Sequence, residues 1–156
     1  MKQFHWGIMG LGDIANAFAE EALCGSQNPP YAVASRSLKK AQEFAARYGA
    51  KKAYGSYEEL FEDPDVDMIY ISTPNGYHYK HAKAALLSGK HVLCEKAIVP
   101  SVKELDELIE IAREKNLVLS EAMTIYHMPV YNEVKRFLES GVLGKVQTVQ
   151  VSFCSS

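Results

Sequence analysis

Six short apolar segments alternate along this chain with segments of helical periodicity, and no other property of the sequence restricts the fold as strongly. Residues 4–9, 31–35, 52–54, 67–72, 91–94 and 117–119 are too short for buried helices, and most lack the apolar–polar alternation of a strand with one wet face. Such strands are covered on both sides. Residues 13–24, 38–48, 57–62, 77–87 and a segment opening at Ser101 lie between or after them, with apolar positions at helical spacing. Strands joined by helices of this length run parallel through right-handed crossovers. The expected fold is therefore α/β, a doubly wound parallel sheet. Local signals sharpen the expectation. Ile14, Phe18 and Ala22 are spaced to stack on one face of the first helix, and Gly49 and Gly89 close the second and fourth. Ser101 and Glu104 have the spacing of a capping box, with Val102, Leu105, Ile109 and Ala112 along one face. Residues 130–138 read as a further helix. In 146–153, Val149, Val151 and Phe153 alternate with Thr148, Gln150 and Ser152, as in a half-exposed antiparallel strand.

Composition excludes several classes of function. The 156 residues, 47% of them hydrophobic, suffice for one core. Seventeen Lys+Arg against nineteen Asp+Glu leave a formal charge of -2, without the basic excess that binding a phosphate backbone needs. No nucleic acid partner is expected. The longest apolar runs fall far below the roughly 20 residues of a membrane span, so no membrane association is expected either. Residues 1–6 show neither a long apolar run nor a small-residue cleavage site, which reads as a cytoplasmic protein. Cys24, Cys94 and Cys154 are odd in number and far apart, so neither a disulfide framework nor a zinc site is indicated.

The first strand runs into a glycine-rich turn with G-x-G-x-x-A at Gly10, Gly12 and Ala15. Gly10 permits the tight turn, Gly12 lets backbone approach a diphosphate, and Ala15 is small enough for helix to pack on strand. Gly10, Leu11, Gly12, Asp13 and Ile14 are accordingly expected to hold a dinucleotide at the helix N-terminus. The carboxylate that usually binds ribose hydroxyls after the second strand is replaced by Ser35-Arg36-Ser37. A guanidinium suits a 2′-phosphate, so NADP is expected over NAD, with NAD kept open. A solvated arginine at a strand end is the plain alternative. The missing carboxylate also counts against a methyltransferase.

In an open parallel sheet the ligand lies beyond the carboxyl ends of the strands. Two loops there are rich in polar groups. Thr73, Pro74, Asn75 and His78 follow the fourth strand, where a helix cap and a surface histidine are the bland readings. Glu95 and Lys96 follow the fifth, where an ordinary ion pair competes with a lysine that positions a substrate hydroxyl.

Taken in order, GLGDIA, ASRS, AYGSYEEL, STPNGYHYKHAKAAL, GKHVLCEKA, SEAM and a later Pro129 resemble the N-terminal domain of the glucose–fructose oxidoreductase / inositol dehydrogenase / MocA family. The resemblance implies a dinucleotide-binding domain over residues 1–123. Residues 124–156 would then be a helix and first strand leading into a C-terminal α+β domain that the chain does not contain. It implies reversible hydride transfer between NAD(P) and a sugar, polyol or related alcohol, with Lys96 catalytic and Asn75 and His78 on the nicotinamide side. Ala97 departs from the family's proline, which removes a backbone constraint on Lys96. Unless His78 or Tyr126 supplies a proton acceptor, this chain alone is expected to bind nucleotide and turn over little. A non-catalytic dinucleotide-binding sensor or assembly module is the competing reading. Strand pairing through Val149, Val151 and Phe153 makes a homo-oligomer the expected state.

Overall fold

Successive side chains of a strand point to opposite faces, and in the opening strand both faces are apolar, so it is buried between two layers. The computed structural model describes residues 4–152. Its strands are β1 (Trp6–Met9), β2 (Ala32–Ala34), β3 (Lys52–Tyr54), β4 (Met68–Ile71), β5 (His91–Cys94) and β6 (Leu119–Glu121). They form one sheet in the order β3-β2-β1-β4-β5-β6, and every neighbouring pair is parallel. Ile8, Val33 and Tyr70 pack into one layer, while Met9, Ile69 and Ile71 pack into the other. The expected doubly wound sheet is present. Its strand order reverses between β1 and β4, which opens a crevice at their carboxyl ends.

The helices are α1 (Asp13–Ala17), α2 (Leu38–Tyr48), α3 (Tyr57–Glu62), α4 (His78–Leu87), α5 (Val102–Glu114) and α6 (Pro129–Glu139). Helix α2 ends at Gly49 with φ 74°, the left-handed cap its sequence anticipates. The chain divides into two compact units, Met1–Ala122 and Met123–Ser156. The first carries the sheet and helices α1 to α5, and the second carries α6.

Five local expectations are corrected. The first helix is α-helical only to Ala17 and continues as a π-helical segment, Phe18–Cys24, in which the Gly25 N–H reaches back to the Glu20 carbonyl. Its buried stripe is Ala15, Ala19 and Leu23, while Ile14 and Ala22 are exposed. Small side chains let this helix lie close to the sheet, so packing selects the alanines over the bulkier stripe. Ser101 caps α5 by position without a side-chain bond, and one Glu104 oxygen is buried with no partner. The capping box forms instead at Ser56 and Glu59, each bonding the other's backbone N–H. Helix α5 buries Leu108 and Ala112 with Leu105 and Ile111 against them, and leaves Val102 76% and Ile109 40% exposed. Strand β6 begins at Leu119 because the Leu117 N–H closes the end of α5 on Ala112 and the register with β5 pairs Val92 with Leu119. Residues 146–152 carry no strand, since a strand exists only through ladder bonds to a neighbour. Phe153 and Cys154 lie outside the described residues.

Candidate functional site

Gly10 sits at φ 84°, and a Cβ there would lie 2.7 Å from the backbone of Ser72 and Thr73. The turn is wedged against the end of β4. The Ser72 hydroxyl locks it, donating within 3.1 Å of the Met9 carbonyl and 2.9 Å of the Gly10 carbonyl. Gly12 is the opposite case. A Cβ on it would meet nothing within 4 Å, so the backbone faces open space at the mouth of the crevice. The first bond of the helical ladder runs from Asn16 N–H to the Gly12 carbonyl, which leaves the amides of Asp13, Ile14 and Ala15 ahead of the ladder. Asn16 also accepts from the Tyr48 hydroxyl at 2.9 Å, which fixes the helix start against α2. A cradle of backbone N–H groups beside a vacant Cβ direction fits a diphosphate. Leu11 is buried under the turn, while Ile14 is 54% exposed.

The second part of the site is a cavity of about 80 Å³ lined by Arg36, Tyr57, Thr73, Pro74, Tyr77 and His81. A neighbouring groove of about 360 Å³ shares Arg36, Tyr57, Tyr77 and His81 and adds Ser56, Glu58 and Lys80. Arg36 thus faces a concave, aromatic-lined space at the end of β2. The Ser35 hydroxyl accepts from the Ser37 N–H and shapes the bend that presents Arg36. His81 stacks on Tyr77 and meets Tyr57 edge-on, and its Nδ1 lies 2.8 Å from the Thr73 hydroxyl. Burial, with help from the Lys80 charge, lowers the His81 pKa, so a neutral ring is held there. Burial likewise raises the Tyr57 phenol.

The third part is the loop after β5. Glu95 accepts from the Tyr70 hydroxyl at 2.6 Å and from the Lys96 N–H at 3.3 Å. Lys96 itself is exposed, and among the described residues its ammonium has no ion pair. The Lys96–Ala97 peptide is cis. Further along, the Ile98 N–H donates to Glu121 at 2.8 Å. Burial, reinforced by the Glu95 and Glu121 charges, pushes the Cys94 thiol up to about 12, which keeps it unreactive.

One expected ligand residue changes role. His78 is fully buried, with Nδ1 2.9 Å from the Ala97 carbonyl and Nε2 2.6 Å from the Thr73 carbonyl. Both ring nitrogens face backbone carbonyls inside the fold, so His78 braces the β4 and β5 loops rather than projecting into open space. Asn75 opens a short 3-10 turn, Asn75–Tyr77, with its side chain exposed. Gly10, Ser72, Thr73, His78 and Ala97 therefore form one chain of contacts across three strand ends. Sequence reasoning missed Ser72, Tyr57, Tyr77 and His81. Their only signal was position: Ser72 just after β4, Tyr57 at the start of α3, Tyr77 just before α4 and His81 one helical turn along it.

The model of the Gfo/Idh/MocA oxidoreductase family, with an NAD-binding Rossmann fold, matches residues 4–123. A trans-1,2-dihydrobenzene-1,2-diol dehydrogenase from Xenopus tropicalis is 38% identical over 95% of this chain and 46% of its own length. A D-xylose 1-dehydrogenase (NADP(+)) from Hypocrea jecorina is 36% identical over 90% of this chain and 39% of its own. Among solved structures, a 3-ketoreductase from Actinomadura kijaniata, in complex with TDP-benzene and NADP, superposes with a TM-score of 0.84. It is 33% identical, covering 90% of this chain and 45% of that one. The chain spans about half the length, or somewhat less, of these relatives.

Proposed function

On the premise that the chain belongs to the Gfo/Idh/MocA oxidoreductase family, we propose that it is the cofactor-binding part of an NADP-linked dehydrogenase or reductase. One observation carries the reading: Gly10 is locked against β4 while Gly12 fronts open space beside amides that precede the helical ladder. Leu11, Asp13 and Ile14 complete that cradle around the diphosphate. Ser35 and Arg36 take the 2′-phosphate, supported by the concave space Arg36 faces and by the NADP named for two relatives. Thr73, Pro74 and Asn75 border the cofactor on the β4 side. When bound, the nicotinamide supplies the hydride donor or acceptor for a small sugar, polyol or related alcohol. Lys96 is the catalytic residue. Its exposed ammonium, on a loop pinned by Glu95, His78 and Glu121, holds the substrate hydroxyl and stabilises developing negative charge on that oxygen.

Residues 1–123 form the dinucleotide domain of this reading, and 124–156 lead toward the substrate part. No described helix is long and apolar enough to cross a membrane. We read the protein as cytoplasmic, which the unpaired Cys24 and Cys94 support. We read it also as homo-oligomeric, which the exposed Val134, Phe137 and Leu138 on α6 support and light scattering tests. Titration with NADPH, NADH and S-adenosylmethionine tests the cofactor. A preference for NADPH that Arg36→Ala abolishes is the expected result, and binding of S-adenosylmethionine alone would overturn it.

A further inference from the structure

Tyr70 is the largest fully buried side chain of the domain, and its hydroxyl is spent on one acceptor outside the backbone, Glu95 at 2.6 Å. The other oxygen of that carboxylate takes the N–H of Lys96. A charged acceptor shared in this way fixes the backbone from which the Lys96 side chain departs. Tyr70 is fixed in turn. Phe18 stacks on its ring with centroids 3.8 Å apart and planes 22° from parallel. Phe18 is the first residue of the π-helical segment that continues α1, one helical turn beyond the amides of the glycine-rich turn. Trp6 of β1 closes the cluster edge-on against Phe18 at 5.3 Å. Burial and the Glu95 charge together hold the Tyr70 phenol far above its ordinary range, so it stays a proton donor to Glu95.

We infer that Tyr70 is a positioning residue for Lys96, and that Phe18 ties this position to the helix carrying the diphosphate cradle. The inference rests on the cofactor reading for its ligand-dependent half only. Without ligand, Tyr70 restrains the Lys96 amide through Glu95. With the diphosphate seated at Gly12, stiffening of α1 passes through the Phe18–Tyr70 stack to Glu95.

Amide hydrogen exchange followed by NMR on this chain separates the parts, with and without 2′-phospho-ADP-ribose, which has the diphosphate and lacks nicotinamide. Tyr70→Phe keeps the ring and its stack and deletes one donor. Loss of a hydrogen bond to a charged group speeds exchange at Lys96 about tenfold or more, with α2 and α5 amides unchanged. In a Glu95→Ala background the same substitution changes Lys96 exchange no further, because the pair is already broken. The ligand slows exchange at Asp13 and Ile14 in every variant, and at Lys96 in the parent chain but not in Tyr70→Phe or Phe18→Leu. Unchanged Lys96 exchange in Tyr70→Phe, or an equal effect in the Glu95→Ala background, overturns the positioning role. Ligand protection at Lys96 that survives Phe18→Leu overturns the link to α1. No protection at Asp13 and Ile14 refutes the cofactor reading instead and leaves the ligand-free comparison standing.

Discussion

Two alanines placed two residues apart separate the jobs of the two glycines. In Gly10→Ala the new Cβ arrives 2.7 Å from three backbone atoms of Ser72 and Thr73, at a φ of 84°. The left-handed backbone costs about 1–2 kcal/mol for a residue with a Cβ, and forcing a methyl into packed backbone costs about 1–3 kcal/mol more. Their sum, about 2–5 kcal/mol, lowers the melting temperature by roughly 4–20 °C for a chain of this size. In Gly12→Ala the methyl meets nothing within 4 Å, and the residue already has φ -96°. Replacing a glycine at a compatible angle stabilises by about 0.4–1 kcal/mol through the unfolded chain, and alanine as the N-cap of α1 costs about as much, so this variant melts close to the parent temperature. Its methyl nevertheless stands where the diphosphate must approach, and NADPH affinity falls at least tenfold, about 1.4 kcal/mol. Differential scanning fluorimetry and fluorescence titration with NADPH read both numbers on the same samples. A Gly12→Ala protein that binds NADPH like the parent, or melts as low as Gly10→Ala, refutes the assignment of the cradle.

Three further outcomes follow from the same geometry. Arg36→Ala weakens NADPH roughly 10- to 100-fold, the worth of a hydrogen-bonded charge pair, and leaves NADH affinity unchanged in calorimetry. Lys96→Ala in a protein that turns over lowers kcat and spares the dissociation constant of NADPH; equal loss of both would make Lys96 a cofactor residue only. Burial alone pushes the Asp63 carboxyl up, but Lys52 at 2.9 Å, the Tyr54 hydroxyl and the Asp65 N–H outweigh it and hold its pKa below the ordinary 3.8. A group depressed on folding stabilises the fold above its unfolded value, and that share is lost as pH falls from about 3.8 toward the folded value. Denaturation at stepped pH therefore shows a loss below about pH 4 that Asp63→Asn flattens.

Much of this was legible in one dimension because it depends on local chemistry. The strand–helix alternation dictates a parallel sheet, since strands with two apolar faces must be sandwiched. The boundaries of α2, α3 and β5 match the ranges 38–48, 57–62 and 91–94 read from periodicity and from Gly49. The G-x-G-x-x-A spacing identifies the turn because Gly10 answers a backbone requirement that residues with a Cβ meet only at a cost. Helix faces were less legible. Of the stripe spaced at Ile14, Phe18 and Ala22 only Phe18 packs on the core, and Ala15, Ala19 and Leu23 are buried instead, because packing against the sheet selects side-chain size, which periodicity does not encode.

The sequence by itself determined the class of fold, the place of the glycine-rich turn, and the arginine we propose for a 2′-phosphate, because each is written in residue types a few positions apart. Only the tertiary structure decided that His78 is a buried brace, that His81 and two tyrosines wall the space before Arg36, and that Tyr70 reaches Glu95. Those groups are separated by up to tens of residues along the chain, and their roles exist only once β2, β4 and β5 lie side by side. A histidine's neighbours in space decide whether its ring nitrogens serve the backbone or a ligand, and those neighbours come from strand order rather than from the residues beside it.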